Sequence, residues 1–215
     1  MKLPLFALAL AVLTQSVTAQ VVLDPPAKVI SVGKSEITSL AIAPKGDRIL
    51  VGTNRGAELF DIEKGKRVAS FPYNEDGSTA VYYTAFNDNG EFVVLIGFAG
   101  TREVWDVKNG KQDKILAGHR WIPDAIRTKD LGLKKGNSDF DRFYQQAEAE
   151  HGDITVRATK DGSLVFTDGD GNALQTLTYP ANKDQHHRAP CLFHNGQFIT
   201  GTDDGRVLFY DLAKP

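Results

Sequence analysis

Short apolar runs separated by polar, glycine-bearing turns recur along most of the chain. Three stretches align: EITSLAIAPKGDRILVGTNRGAELFDIEKGKRVASF from Glu36, STAVYYTAFNDNGEFVVLIGFAGTREVWDVKNGKQDKIL from Ser78, and RAPCLFHNGQFITGTDDGRVLFYDLAKP from Arg188 to the C-terminus. Each predicts three strands joined by two turns, the third strand ending in an aromatic-Asp pair: Phe60-Asp61, Trp105-Asp106 or Tyr210-Asp211. Val93 and Leu95 alternate with Val94 and Ile96, so both faces of that strand are apolar, as in a sheet covered on two sides. Asn89-Gly90, Asn195-Gly196, Arg55-Gly56, Asp161-Gly162 and Asp204-Gly205 stand where tight hairpins take positive φ. These glycines punctuate strands and do not form phosphate loops.

A fourth copy is harder to see. Residues 153–180, DITVRATKDGSLVFTDGDGNALQTLTYP, read as the second and third strands of a further unit followed by an outer strand, with Thr167-Asp168 in the aromatic-Asp slot. The interval from Asp106 to Asp168 is longer than those on either side, which predicts an insertion. Residues 138–152, SDFDRFYQQAEAEHG, have the pattern of a helix. Ser138 is placed to cap it, Asp141 follows three residues later, and Phe140, Phe143, Tyr144 and Ala147 make one helical stripe. Gly152 would end it. The insert, about 130–152, is expected between the first strand of the unit, about 121–128, and the second, 153–159.

The N-terminus differs from all of this. Met1-Lys2 precedes the apolar run Leu3–Leu13 and the small, polar TQSVTA, an arrangement typical of a secretory signal peptide cleaved after Ala19. The run is too short to cross a bilayer as a helix, which takes roughly 20 residues. The expected division is therefore a signal peptide over 1–19 and one repeat domain over 20–215. The expected compartment is outside the cytoplasm, periplasmic rather than extracellular.

Composition narrows the choices further. With 41% hydrophobic and 24% charged residues, the chain is of ordinary globular type. A net charge of −2 offers no electrostatic basis for binding nucleic acid or anionic lipid, and no second stretch is long and apolar enough for membrane insertion. The single cysteine, Cys191, excludes an intramolecular disulfide.

The repeats resemble the WD40 family. Trp105-Asp106 is a literal WD pair, and Gly118-His119 matches that family's Gly-His position. The resemblance implies an all-β fold, a β-propeller of four-stranded d-a-b-c blades acting mostly as an interaction scaffold; the repeat count makes it four-bladed, fewer blades than the family usually has, with the helical insert in blade three. Ala27–Val32 then counts as a lone d strand, and Arg206–Leu212 ends the last blade at strand c. Pairing the two would complete blade four and hide both sheet edges. The alternative is a half-ring whose loose strands pair across a two-fold axis into an eight-bladed dimer. The closed monomer is the expectation.

Candidate chemistry is sparse. His119, His151, His186, His187 and His194 show no H-E-x-x-H or H-x-E spacing, so no metal site is expected. Asp168-Gly169-Asp170-Gly171-Asn172 starts like a calcium loop, but Tyr179 stands at its twelfth position, and a plain turn explains it. No G-x-S-x-G surrounds a serine, and Cys191 lies in an apolar strand. No catalytic residue and no cofactor are expected. What remains is the face formed by d–a and b–c loops, with Arg55, Tyr73, Arg102, Arg120, Trp121, Lys160, His186, His187 and Arg188, residue types enriched at protein interfaces. The expectation is a non-enzymatic scaffold for an unidentified protein partner. The alternative is a small enzyme, hydrolase or lactonase-like, or a small-molecule or metal binder using the central channel.

Overall fold

The computed structural model describes residues 20–98, 100–118, 146–179 and 189–213. Within them the chain forms β1 (Lys28–Ser31), β2 (Ile37–Ile42), β3 (Arg48–Thr53), β4 (Gly56–Asp61), β5 (Arg67–Phe71), β6 (Tyr83–Phe86), β7 (Phe92–Ile96) and β8 (Arg102–Asp106). A short helix α1 (Lys114–Gly118) follows. Then come β9 (Glu148–His151), β10 (Ile154–Ala158), β11 (Ser163–Thr167), β12 (Ala173–Thr178), β13 (Cys191–His194), β14 (Gln197–Gly201) and β15 (Arg206–Asp211). These strands make four antiparallel sheets, ordered β2-β3-β4-β5, β6-β7-β8, β9-β10-β11-β12 and β13-β14-β15-β1.

The last order contains the predicted union of the chain's two ends. Lys28 pairs with Phe209, Val29 with Leu208, Ile30 with Val207 and Ser31 with Arg206. The contact continues upstream, where Val22 bridges Leu212, Leu23 N–H donates to Asp211 O at 2.9 Å, and Ala213 N–H donates to Val21 O at 2.8 Å. Gln175, from the outer strand of the third sheet, fastens this arm. Its Oε1 accepts from Val21 and Val22 N–H, both at 2.8 Å, and its Nε2 donates to Val22 O at 3.0 Å.

Sheets meet face to face through apolar seams. Val156, Leu164 and Phe166 of the third sheet pack on Phe198, Leu208 and Tyr210 of the fourth. Ile30, Ile199 and Phe209 of the fourth pack on Leu40, Ile49 and Phe60 of the first. Leu50, Leu59 and Phe71 of the first pack on Val81, Val93 and Leu95. Strands covered on two sides therefore carry apolar residues at consecutive positions, as Phe198-Ile199 and Leu208-Phe209 do. Each such side chain, fully buried, contributes about 1.5–3 kcal/mol.

Two expectations need correction. The third sheet was expected to take its first strand from about 121–128, with a helix through residue 152. Instead β9, Glu148–His151, pairs with β10, and Glu148 stands opposite Arg157 with an N–O distance of 2.7 Å. The run QQAEAE has helical composition, but Gly152 (φ 59) and Asp153 form a two-residue turn that reverses the chain into Ile154. Ala147, assigned to a helical stripe, is buried in the bend just ahead of β9. Residues 121–128 and the rest of the insert up to 145, including Phe140, Phe143 and Tyr144, lie outside the described residues. The second sheet, expected to have four strands, has three among the described residues. Gln112 makes one bridge to Trp105, and Asp113 then caps α1 by accepting from Ile115 and Leu116 N–H.

Candidate functional site

Turns on either side of the sheets separate two faces. The b–c turns at Thr53–Gly56, Thr159–Gly162 and Thr202–Gly205 lie on the first. Each is organised by its threonine: Thr202 Oγ1 accepts from Arg206 N–H at 3.0 Å, Thr159 Oγ1 accepts from Ser163 N–H at 3.2 Å, and Thr53 Oγ1 accepts from Arg55 N–H at 3.0 Å. This T-x-x-G repeat is visible in the sequence and marks the three turns as equivalent. The segments leading into β2 and β6 run across the same face, since Asn54 N–H donates to Glu36 O and Gly56 N–H donates to Thr79 O.

Of the residues predicted for this face, Arg55 and Lys160 are exposed turn residues. Arg102 is half-buried, and its Nε donates to Ala117 O at 2.9 Å, holding α1 against β8. Tyr73 is a correction: it is 3% exposed and part of the seam between the first and second sheets. Its hydroxyl donates to Thr101 O at 2.6 Å and accepts from Gly97 N–H at 2.7 Å. Burial and the adjacent Glu75 carboxylate hold its phenol well above the usual range. The loop from Pro72 to Thr79 thus tucks Tyr73 and Glu75 under the β7–β8 turn rather than projecting them. Arg120, Trp121, His186, His187 and Arg188, together with His119, lie outside the described residues.

The second face carries the a–b and c–d turns. The aspartates that close each third strand shape its c–d turns: Asp61 Oδ1 accepts from Lys64 N–H, Asp106 Oδ1 from Lys108 and Asn109 N–H, and Asp168 Oδ1 from Asp170 and Asn172 N–H. Asn172 supplies both its backbone and side-chain amides to Asp168, which keeps that carboxyl below its ordinary pKa. The calcium-like sequence is occupied by its own turn.

On this second face a cavity of about 630 Å³ opens between β2, β6 and β13. Leu40 and Ile42 of β2, Tyr83 and Phe86 of β6, and Leu192 and Phe193 of β13 supply apolar wall, and Gln146 enters from the segment before β9. Two polar atoms at this lining are buried with no hydrogen-bond partner among the described residues: Thr84 Oγ1 and His194 Nε2. Thr84 itself is only 2% exposed. The lining is mixed, since Asn87, Asp88 and Gln146 stand beside the apolar positions, and it suits a partner group that combines apolar surface with hydrogen-bonding atoms. Residue-by-residue reading of the sequence missed it, because the lining comes one strand at a time from separate repeats. The periodic first strand of each unit was the available signal. Among the described residues no three His, Cys, Asp or Glu side chains are grouped to hold a metal ion. His151 instead stacks on Phe193, with ring centroids 5.2 Å apart. Cys191 is buried against the third and fourth sheets, and that burial pushes its thiol far above the reactive range.

No family model and no curated protein matches the chain. Among solved structures it is similar to RRP9 WD40 repeats, with 12% identity and a TM-score of 0.40, over 89% of this chain and 56% of that one. It is similar to U3-55K at 12% identity and TM-score 0.37, over 84% of this chain and 54% of that one. A computationally designed protein, Ika4, matches at 20% identity and TM-score 0.31, over 84% of this chain and 93% of that one. The chain spans about half the length of the two WD40-type structures.

Proposed function

We propose that this chain is an exported, WD40-like propeller of four blades, closed into a ring as a monomer and acting as a non-enzymatic scaffold for a protein partner. Export rests on the leader pattern of residues 1–19, with the periplasm as its compartment. Closure is supported by the ladder between β1 and β15 and by the three seams joining consecutive sheets. The passage from the second sheet to the third runs through residues 119–145, outside the described residues.

The observation that carries the binding reading is the open cleft between β2, β6 and β13 on the a–b and c–d face, with Ile42, Phe86 and Phe193 as its apolar wall. It moves the favoured surface away from Arg55 and Lys160, which occupy the opposite face. A partner side chain or short loop seated between Ile42, Phe86 and Phe193 would bury apolar area at the middle of a rigid platform, where binding energy concentrates. The test is capture of proteins from an envelope extract on immobilised mature chain, run beside Ile42→Asp and an Arg55→Glu/Lys160→Glu double variant. Retention lost only in Ile42→Asp supports the reading. Retention indifferent to all of them, or absent from the unmodified chain, overturns it.

A second reading has one observation in its favour. The polar share of the cleft, with Asn87, Asp88 and Gln146 beside the apolar wall, fits a small polar molecule as well as a peptide group. A soluble-metabolite fraction that raises the unfolding temperature of the mature chain, but not of Asp88→Ala, would favour it over the protein scaffold.

A further inference from the structure

We propose that Gln20 is a modification site: in the exported protein it becomes the N-terminal residue and closes on itself to a pyroglutamyl lactam. The inference rests on the export reading above and goes beyond it. Cleavage after Ala19 exposes the α-amine of a glutamine, a residue that can cyclise without any other reactant. The α-nitrogen attacks the side-chain Cδ, the Nα–Cδ bond forms, the Cδ–Nε2 bond breaks, and ammonia leaves with the proton given up by the amine.

The structure supplies two reasons to place the event at this residue. Cleavage further downstream would remove Val21 and Val22, which are 6% and 0% exposed and fill the seam between the third and fourth sheets. Those two valines are also the ones held by Gln175 Oε1 and, at Val21 O, by Ala213 N–H. The chain is therefore fastened from residue 21 onward, while Gln20 is exposed at the rim. The second reason is that the product fits the contacts already made. The lactam is neutral, keeps the residue's carbonyl, and leaves Val21 N–H free to donate to Gln175 as it does. It also denies an aminopeptidase the free amine it needs, guarding an arm whose loss would uncover the seam.

The test is the intact mass and the N-terminal peptide of protein purified from the exported fraction. The expected result is a chain starting at residue 20, lighter by one ammonia than the encoded sequence, blocked to stepwise N-terminal degradation and unblocked by pyroglutamyl peptidase. Gln20→Ala, cut at the same bond, should read out directly from its first cycle. A chain that starts at Gln20 with a free amine, and keeps it through prolonged incubation at growth temperature, overturns the lactam while leaving export intact. A chain that stays in the cytoplasm and starts at Met1 overturns both, and an exported chain starting at any residue other than 20 overturns the lactam alone.

Discussion

Gln146 and Leu40 exchange two hydrogen bonds at the inner edge of the first sheet: Leu40 N–H donates to Gln146 Oε1 at 2.8 Å, and Gln146 Nε2 donates to Leu40 O at 2.7 Å. A side-chain amide here does what another strand would do, satisfying both backbone groups of a residue that is 1% exposed. The backbone carbonyl of the same glutamine accepts from Cys191 N–H at 2.7 Å. One residue thereby ties together the inner strands of the first and fourth sheets. Replacing it by alanine should leave Leu40 with a buried, unpaired N–H and carbonyl, at a cost of about 1–3 kcal/mol. Chemical denaturation checks this. Gln146→Glu, which retains the acceptor but loses the donor, should fall between the two.

Gln175 uses its amide in the same way on the other side of the molecule, clasping Val21 and Val22. Gln175→Ala should release the arm before the rest of the protein unfolds. Hydrogen exchange at Val21, Val22 and Leu23 is expected to rise well before that at Val207 or Phe209, with a global stability loss of about 1–2 kcal/mol. If the arm stays protected in the variant, the β1–β15 ladder alone holds it.

Much of this architecture was legible because sheets stacked face to face leave a simple trace. Apolar residues on both sides of a strand, with Asx-Gly or X-Gly turns between, identify β3, β7 and β15 directly. Asn195 (φ 47) and Gly196 (φ 72) form the two-residue hairpin their sequence predicts. The pairing of β1 with β15 followed from one unmatched strand at each end. The failures have local causes. Glutamate and alanine in QQAEAE favour helix intrinsically, yet β9 is settled by its partner β10 and by the turn at Gly152, and tertiary pairing overrides propensity. The short helix α1 went unread in the sequence, although Asp113 is a good helix cap. Tyr73 was read as an interface aromatic because nothing in its immediate sequence announces the Gly97 amide that its hydroxyl receives. The cavity was not legible at all from single residues, since Leu40, Phe86 and Leu192 meet only after three sheets have assembled.

Close approach makes Gly205 irreplaceable. It has φ 82, and a Cβ placed on it would lie 2.0 Å from Gly33 O, a backbone atom that cannot swing aside. Gly205→Ala should therefore push the b–c turn of the fourth sheet away from the segment entering β2. The expected cost is at least the 1–3 kcal/mol typical of overpacking, with about 1 kcal/mol more for the left-handed backbone. Gly171→Ala is the control. It also has positive φ, 84, but nothing lies near the added carbon, so only the backbone cost should appear in thermal melts.

The neighbouring Asp204 gives a pH signature. Burial alone would raise its pKa, but hydrogen bonds from Arg206 and Thr202 outweigh it and hold the carboxyl below its ordinary value. Arg206 approaches to 2.8 Å. A carboxyl depressed in the folded state contributes stability that is complete above its unfolded pKa, near 4, and is lost as pH falls through the lower folded value. The pair is partly exposed, with side chains 43% and 42% accessible, so solvent screening limits its worth to under about 1 kcal/mol. Asp204→Asn should accordingly lower stability slightly at pH 7 and leave a difference that shrinks steadily below pH 4. Urea titrations at pH 7, 4 and 2.5 would follow it, and raising the salt concentration at pH 7 should narrow the same gap. A difference that persists unchanged at pH 2.5 would mean the asparagine harms the turn sterically, and that the carboxylate's charge has no part in holding it.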